Sequence, residues 1–256
     1  MDTNTSVSCR IALITDLHTG AEEDVPFDIN LRQNFLTVLD AVRAHDPSHL
    51  FIAGDLCLLE GNKDIYSWQK KHFDALDIPY HIIIGNHDDA WLLSSIYDQL
   101  PTLQKGELFY EIILAGYQIL MLDTSQGEMS AAQKKWLKQK LANPSSSPSI
   151  VVMHHPPDLM NVPYMDEKHF LKDRVDVMQI FRDAQHPIEI FCGHYHVEKT
   201  VSFGHFRVHV TPSCYFQIDA FSGSFQIDHT QIAYRLIDLY NDRIDFSLHY
   251  LPGAKI

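Results

Sequence analysis

Positive charge is scarce in this sequence. Its 256 residues carry 20 Lys and Arg against 33 Asp and Glu, a formal net charge of −13 at pH 7. That balance disfavours a nonspecific grip on nucleic acid, where a basic surface supplies most of the affinity. It does not exclude a local positive site, because bound cations are absent from the count. Cysteine is scarce too. Cys9, Cys57, Cys192 and Cys214 are widely scattered, with no Cys-x-x-Cys pair, so neither a disulfide framework nor a zinc ribbon is expected. No run of about 18 apolar residues occurs, and no membrane span is expected. The opening stretch, MDTNTSVSCR, has no basic segment leading into an apolar one; a secretory leader is not expected, and the cytoplasm is the expected compartment.

What is present is a composition of 45% hydrophobic, 11% aromatic and 21% charged residues, enough at this length for a substantial core. Strand-like and helix-like segments alternate through the first two thirds. RIALIT reads as a buried strand, and INLRQNFLTVLDAVRAHD follows with Leu31, Phe35, Val38, Leu39 and Val42 at helical spacing. HLFIAGD and YHIIIG are further strands, with helices expected over 65–76 and 91–100. FYEIILAGYQILMLD reads as two strands about an Ala115-Gly116 turn. Ser130 and Gln133 have capping-box spacing at the head of a helix that should end near Asn143. IVVMHHPP and IEIFCGHYH are strands around a long loop and a helix near 175–184. From about 199 the pattern changes to hairpins, with turns at Gly204-His205 and Asn241-Asp242. The expectation is an α/β fold in one domain over 1–256, its C-terminal part rich in hairpins.

Chemistry collects where the strands stop. ALITDLH delivers Asp16 and His18, LFIAGD delivers Asp55, and HIIIGNHD delivers Asn86, His87 and Asp88. IVVMHH ends in His154 and His155, and IFCGHYH contains His194 and His196. Six of the sixteen histidines fall at these strand ends. Ligands of open α/β sheets gather at the carboxyl ends of strands, so five runs could converge on one point. Carboxylates, imidazoles and an amide oxygen without thiolate suit borderline or hard divalent cations. One catalytic zinc needs about three protein ligands; seven or eight candidates suffice for two metals sharing a carboxylate. If the backbone stays extended, Asp16-Leu17-His18 and His194-Tyr195-His196 each put their outer side chains on one side. Taken singly, each piece is an ordinary turn or a hydrogen-bonded pair. The ordered set of five is not.

Asp16-x-His18, Gly54-Asp55, Gly85-Asn86-His87-Asp88, His154 and Gly193-His194-x-His196, in this order, resemble the calcineurin-like metallophosphoesterase family; the compact length, and FCGHYH followed by a hairpin-rich tail, look more like its bacterial cyclic-nucleotide and glycerophosphodiester branch. The resemblance implies two packed mixed β-sheets flanked by helices in four layers. It implies one metal held by Asp16, His18, Asp55 and His196, and a second held by Asp55, Asn86, His154 and His194, with Asp55 bridging. His87 would reach the phosphate and protonate the leaving oxygen, with Asn86 also facing substrate. His155 would stand behind a ligand or face the substrate. Asp88 would orient His87 or cap the next helix.

Two cations about 3.5–4 Å apart clamp a phosphoryl group and lower the pKa of bound water toward 7, so that hydroxide attacks in line. Fe, Mn, Zn and Co all suit mixed N/O ligands. The phosphoprotein-phosphatase branch continues its Gly-Asp motif into Asp-Arg-Gly, whereas this chain reads Gly54-Asp55-Leu56-Cys57. Arginine is the favoured clamp for a phosphate dianion; its absence favours a diester. A 3′,5′-cyclic nucleotide is the first substrate class, followed by glycerophosphodiesters, a phosphomonoester or a nuclease substrate. A non-catalytic metal-binding regulatory module is the rival of another kind. Tyr164 and His169, in the long loop after Pro157, could meet substrate, or that loop could pack Met160 and Met165 on the core. The Phe- and Tyr-rich hairpins could cover the second sheet or form a homodimer surface.

Overall fold

Strands buried on both faces need apolar residues at every position, with alternate side chains serving different cores. The computed structural model, which describes residues 6–142 and 147–256, shows this in its second sheet. Ile119, Met121, Ile150, Val152 and Phe191 point into a core shared with the first sheet. Leu120, Leu122, Val151, Met153, Ile190 and Cys192 point into another beneath helices.

The first sheet contains β1 (Cys9–Ile14), β2 (His49–Ala53), β3 (Tyr80–Ile83), β12 (Ile232–Leu239) and β13 (Ile244–Leu251), in the order β13-β12-β1-β2-β3. β1, β2 and β3 run parallel, and β12 pairs antiparallel to β1. The second contains β4 (Tyr110–Leu114), β5 (Tyr117–Leu122), β6 (Ser149–Met153), β7 (Ile188–Cys192), β8 (Lys199–Phe203) and β9 (Phe206–Val210), in the order β4-β5-β6-β7-β9-β8. β5, β6, β7 and β9 are parallel, with antiparallel edges β4 and β8. A two-stranded ribbon, β10 (Gln217–Ile218) with β11 (Ile227–His229), lies apart from both. These are the expected mixed sheets. The late hairpins divide between them: β8–β9 extends the second and β12–β13 the first.

Helices α1 (Leu31–Arg43) and α2 (Lys63–Asp74) bury Phe35, Val38, Ile65 and Phe73 in the first core. α4 (Ala131–Leu141), α5 (Pro163–Lys168) and α6 (Arg174–Asp183) bury Leu137, Met165 and Phe181 in the other. α3 (Ala90–Ile96) is shorter than the 91–100 expected. Asn30, Asn62, Asp89 and Ser130 cap α1, α2, α3 and α4 by accepting from backbone N–H groups of the first turn, a contribution of about 1 kcal/mol each. The capping box at α4 is only half made. Gln133 turns its amide to the backbone of Asp123, and Glu107 takes the Ser130 N–H. The expected end of that helix at Asn143 lies outside the described residues. No helix among the described residues is long and apolar enough to cross a membrane.

Candidate metal centre

The parallel strands of both sheets deliver their carboxyl ends to one place. β1 runs on to Asp16 and His18, β2 to Asp55, β3 to Asn86 and His87, β6 to His154 and β7 to His194 and His196. Among the described residues three groups of three result, each with ligand atoms within 4.8 Å of one another: Asp16, His18 and His196; His18, Asp55 and His87; and Asp55, His154 and His194. Asp55 belongs to the last two, its Oδ2 3.2 Å from His154 Nε2 and 3.7 Å from His18 Nε2.

Convergence is not reached by an extended backbone, as the two-residue spacing had suggested. Asp16, His18, Asp55, His194 and His196 all have positive φ, between 42° and 66°. A left-handed conformation costs roughly 1–2 kcal/mol for a side chain with a Cβ, and hydrogen bonds from Asp16 N–H to Gly54 O (3.0 Å) and His18 N–H to Asp55 O (3.0 Å) hold the turns. Leu17 and Tyr195 do point away, Leu17 into the first core and the Tyr195 hydroxyl to Asp166.

The motif glycines are required by contact. A Cβ on Gly85 would lie 2.2 Å from Asp55 Oδ1, and one on Gly193 2.0 Å from Thr15 Oγ1 and 2.4 Å from Asp16 Oδ2. Gly54, with φ +94°, packs against the His154 ring.

The imidazoles share one device. His154 Nδ1 sits 2.8 Å from Ala53 O, His196 Nδ1 3.0 Å from Phe216 O, His194 Nε2 3.0 Å from His169 O and His87 Nδ1 2.5 Å from Leu59 O. A carbonyl only accepts, so each of these nitrogens carries the hydrogen, and the neutral ring turns its other lone pair inward. The lone pairs then crowd. His18 Nε2 and His196 Nε2 are 3.1 Å apart, His196 Nε2 is 3.3 Å from Asp16 Oδ1, and buried His154 Nε2 has no hydrogen-bond partner. Such an arrangement requires positive charge in the middle. Burial works against charging His154, yet the Asp55 and Asp16 carboxylates push it up to about 9. Burial instead carries His18 down to about 4 and His194 down to about 3. Burial likewise opposes ionisation of Asp16 and Asp55, but the facing imidazoles hold both below the usual carboxylate range. Imidazole nitrogens facing ionised carboxylates, with no thiolate, fit a pair of metal cations, which would take the place of the proton that the carboxylates otherwise draw onto His154.

Asn86 is exposed at the turn after β3 and, with half-buried His87, lines a cavity of about 270 Å³ over the cluster. His155 is buried behind the centre, its ring 4.0 Å from that of His194 and its Nδ1 on the Thr124 hydroxyl; it does not line that cavity. Asp88 neither touches His87 nor caps α3, a task that falls to Asp89. Its carboxylate accepts from the N–H groups of Leu56 and Gly85 and from the Tyr66 hydroxyl, binding the Asp55 loop to the Asn86 loop. Burial and the neighbouring Asp55 charge push it up to about 6. In the long loop Met160 and Met165 are buried in the core, while Tyr164 and His169 line the cavity.

The sequence pattern did not mark the opposite wall. Phe27, Tyr215, Phe216 and Phe225 complete the cavity. The only signal was aromatic richness of the tail, and part of it faces this site.

The model of the calcineurin-like phosphoesterase family matches residues 9–198. The probable cyclic nucleotide phosphodiesterase of Fibrobacter succinogenes is 31% identical over 229 residues, covering 90% of this chain and 89% of that protein. A 3′,5′-cyclic adenosine monophosphate phosphodiesterase of Escherichia coli is 27% identical, with 96% and 91% covered. Among solved structures, a dimetal phosphatase from Danio rerio superposes with a TM-score of 0.71 over 98% of this chain and 99% of that one, at 14% identity, a likeness of fold. A family match running from β1 through the last of the five strand ends, and a cluster built for two cations at those ends, place this chain in the calcineurin-like phosphoesterase family.

Proposed function

We propose that the chain hydrolyses a small phosphodiester, a 3′,5′-cyclic nucleotide first, with one cation on Asp16, His18, Asp55 and His196 and another on Asp55, Asn86, His154 and His194. When bound, the cations supply Lewis-acid polarisation of the phosphoryl group and a nucleophile at neutral pH. Asp55 stays ionised and holds the two sets of ligands in register. His87 keeps its Nδ1 hydrogen on the Leu59 carbonyl; its Nε2 is the nitrogen left to face the ester and pass a proton to the departing oxygen. Buried free thiols at all four cysteines suit a reducing, cytoplasmic setting.

One observation carries the choice of ester. No Lys or Arg is among the described residues lining the cavity. A monoester dianion would keep a second charge without a side-chain cation to meet it, whereas a diester carries one. The names of the Fibrobacter and Escherichia relatives support a cyclic nucleotide within that class.

The test is a set of initial rates on cyclic AMP, cyclic GMP, glycerophosphocholine and p-nitrophenyl phosphate with Mn²⁺, metals being quantified on the same sample. A kcat/KM for a cyclic nucleotide at least tenfold above the others is expected. A preference for the monoester overturns the choice, and an absence of metal-dependent turnover leaves a binding module. His87→Ala should keep its metals and lose about 10²–10⁴ in kcat; metal loss in that variant would make His87 a ligand.

A further inference from the structure

The aromatic wall continues outward from the metal centre in ring-to-ring steps. His196 lies 5.0 Å from Phe216, and Phe216 lies 5.6 Å from Phe27 and 5.8 Å from Phe225. Tyr164 stands 5.8 Å beyond Phe225. A wall that served only as core would be closed, yet Phe27 is 57% and Phe225 42% exposed. Phe27 is also strained. It and Asp28 both have φ of 57°, two successive left-handed residues of which neither is glycine. Strain of this kind persists only where surrounding structure imposes it. Here the N–H of Ile256 bonds Asp28 O and that of Asn30 bonds Ala254 O, at 3.1 and 3.0 Å, with Ile29 fully buried beside them. The fold thus spends stability to hold an apolar ring open to solvent beside a phosphoester site.

Building on the cyclic-nucleotide reading above, we infer that Phe27, Phe216 and Phe225 form a platform that takes the nucleobase by its face and sets little preference between bases. Stacking is tolerant of sequence because every base presents a π-face. The polar groups at this end include the Tyr164 hydroxyl and His169 Nε2, 3.5 Å apart, and the Tyr215 hydroxyl. Each can donate or accept, so none rejects an adenine or a guanine edge by leaving a buried group unpaired.

The experiment measures kcat and KM of the Mn²⁺-loaded protein on cyclic AMP, cyclic GMP and glycerophosphocholine, for wild type, Phe27→Leu and Phe225→Ala. Phe27→Leu keeps apolar bulk without the flat ring. Loss of one base–aromatic stack raises KM for both cyclic nucleotides about tenfold, leaves kcat within about threefold and leaves the aliphatic diester unchanged; wild type handles the two nucleotides within about tenfold of one another. Circular dichroism and metal content check that each variant is folded and loaded. Unchanged KM in both folded variants overturns the platform while leaving the substrate reading intact, and a preference above a hundredfold between the nucleotides overturns recognition by face. A wild type that turns over glycerophosphocholine but neither nucleotide overturns the substrate reading, and the platform with it.

Discussion

On the metal side of the cavity four imidazoles are tethered through their second nitrogen to a backbone carbonyl, and the carboxylates are buried. On the aromatic side the rings rest mainly on one another and meet the metal side at Phe216 against His196, and two of them are open to solvent. The difference follows from what each wall binds. A cation site needs donors held at short, fixed distances, and carbonyl tethers fix both tautomer and orientation. A flat apolar ligand needs area and tolerates displacement of a fraction of an ångström, so loose packing suffices. The walls should therefore fail independently when mutated, one through metal content and the other through KM.

The largest effect belongs to Asp55, which lies between the two sets of ligands. Asp55→Asn preserves an oxygen for the His87 N–H but removes the charge between them. A loss of several kcal/mol of transition-state stabilisation corresponds to at least about 10³ in kcat/KM. Metal per chain should fall below two by elemental analysis. Two metals retained with full activity would refute the bridging role and the contrast between the walls.

The same contrast explains what could be read in advance. Asp16, His18, Asp55, His87, His154, His194 and His196 sit immediately after strands, so short polar motifs mark them, and parallel strands bring them together. The strands were legible as buried apolar runs such as Ile150–Met153, whereas their division into two mixed sheets was what the family resemblance implied. Phe27 comes from a segment far from the one that carries Phe216 and Phe225, and an aromatic residue in isolation reads as core. Which sheet each late hairpin joins is set by long-range pairing, Cys9 with Leu239 and Cys192 with Val210, and neither pair has a local signal. The role of Asp88 was missed because its partners, Leu56 N–H and the Tyr66 hydroxyl, come from another loop and from α2.

Asn34 offers a smaller and sharper separation of the two walls. Its buried amide donates to Cys214 O (3.2 Å), just before Tyr215 and Phe216, and accepts from Ala254 N–H (2.7 Å), beside the strand-like segment that holds the Phe27 turn. One side chain thus ties both halves of the platform. Asn34→Ala leaves the buried Cys214 carbonyl unpaired, at about 1–3 kcal/mol, and the partly buried Ala254 N–H at a smaller cost, which should lower Tm by several degrees. KM for cyclic nucleotides should rise about three- to tenfold with two metals retained. A parallel loss of metal would mean that the walls are mechanically one.

The smallest effect lies at the opposite ends of the strands and serves as a control that neither wall should feel. His81 Nε2 and His49 Nδ1 are 3.2 Å apart across β2 and β3, a contact that needs one hydrogen and one lone pair. Burial carries His81 down to about 4, and the nearby His49 acts in the same direction. The unfolded chain takes up this proton near pH 6.5 and the folded chain only near 4. Stability from the neutral pair is therefore complete above about pH 6.5 and is lost as the pH falls toward 4. Because His81 is only partly buried, solvent screening cuts the loss to about 1–2 kcal/mol, below the full linkage value. Denaturant titrations at pH 7.5 and 5 should show a smaller acid penalty in His81→Gln, with metal content and KM unmoved at pH 7.5. An equal acid penalty in variant and wild type would place the acid lability elsewhere, and the carboxylates and imidazoles of the metal centre would be the next groups to test.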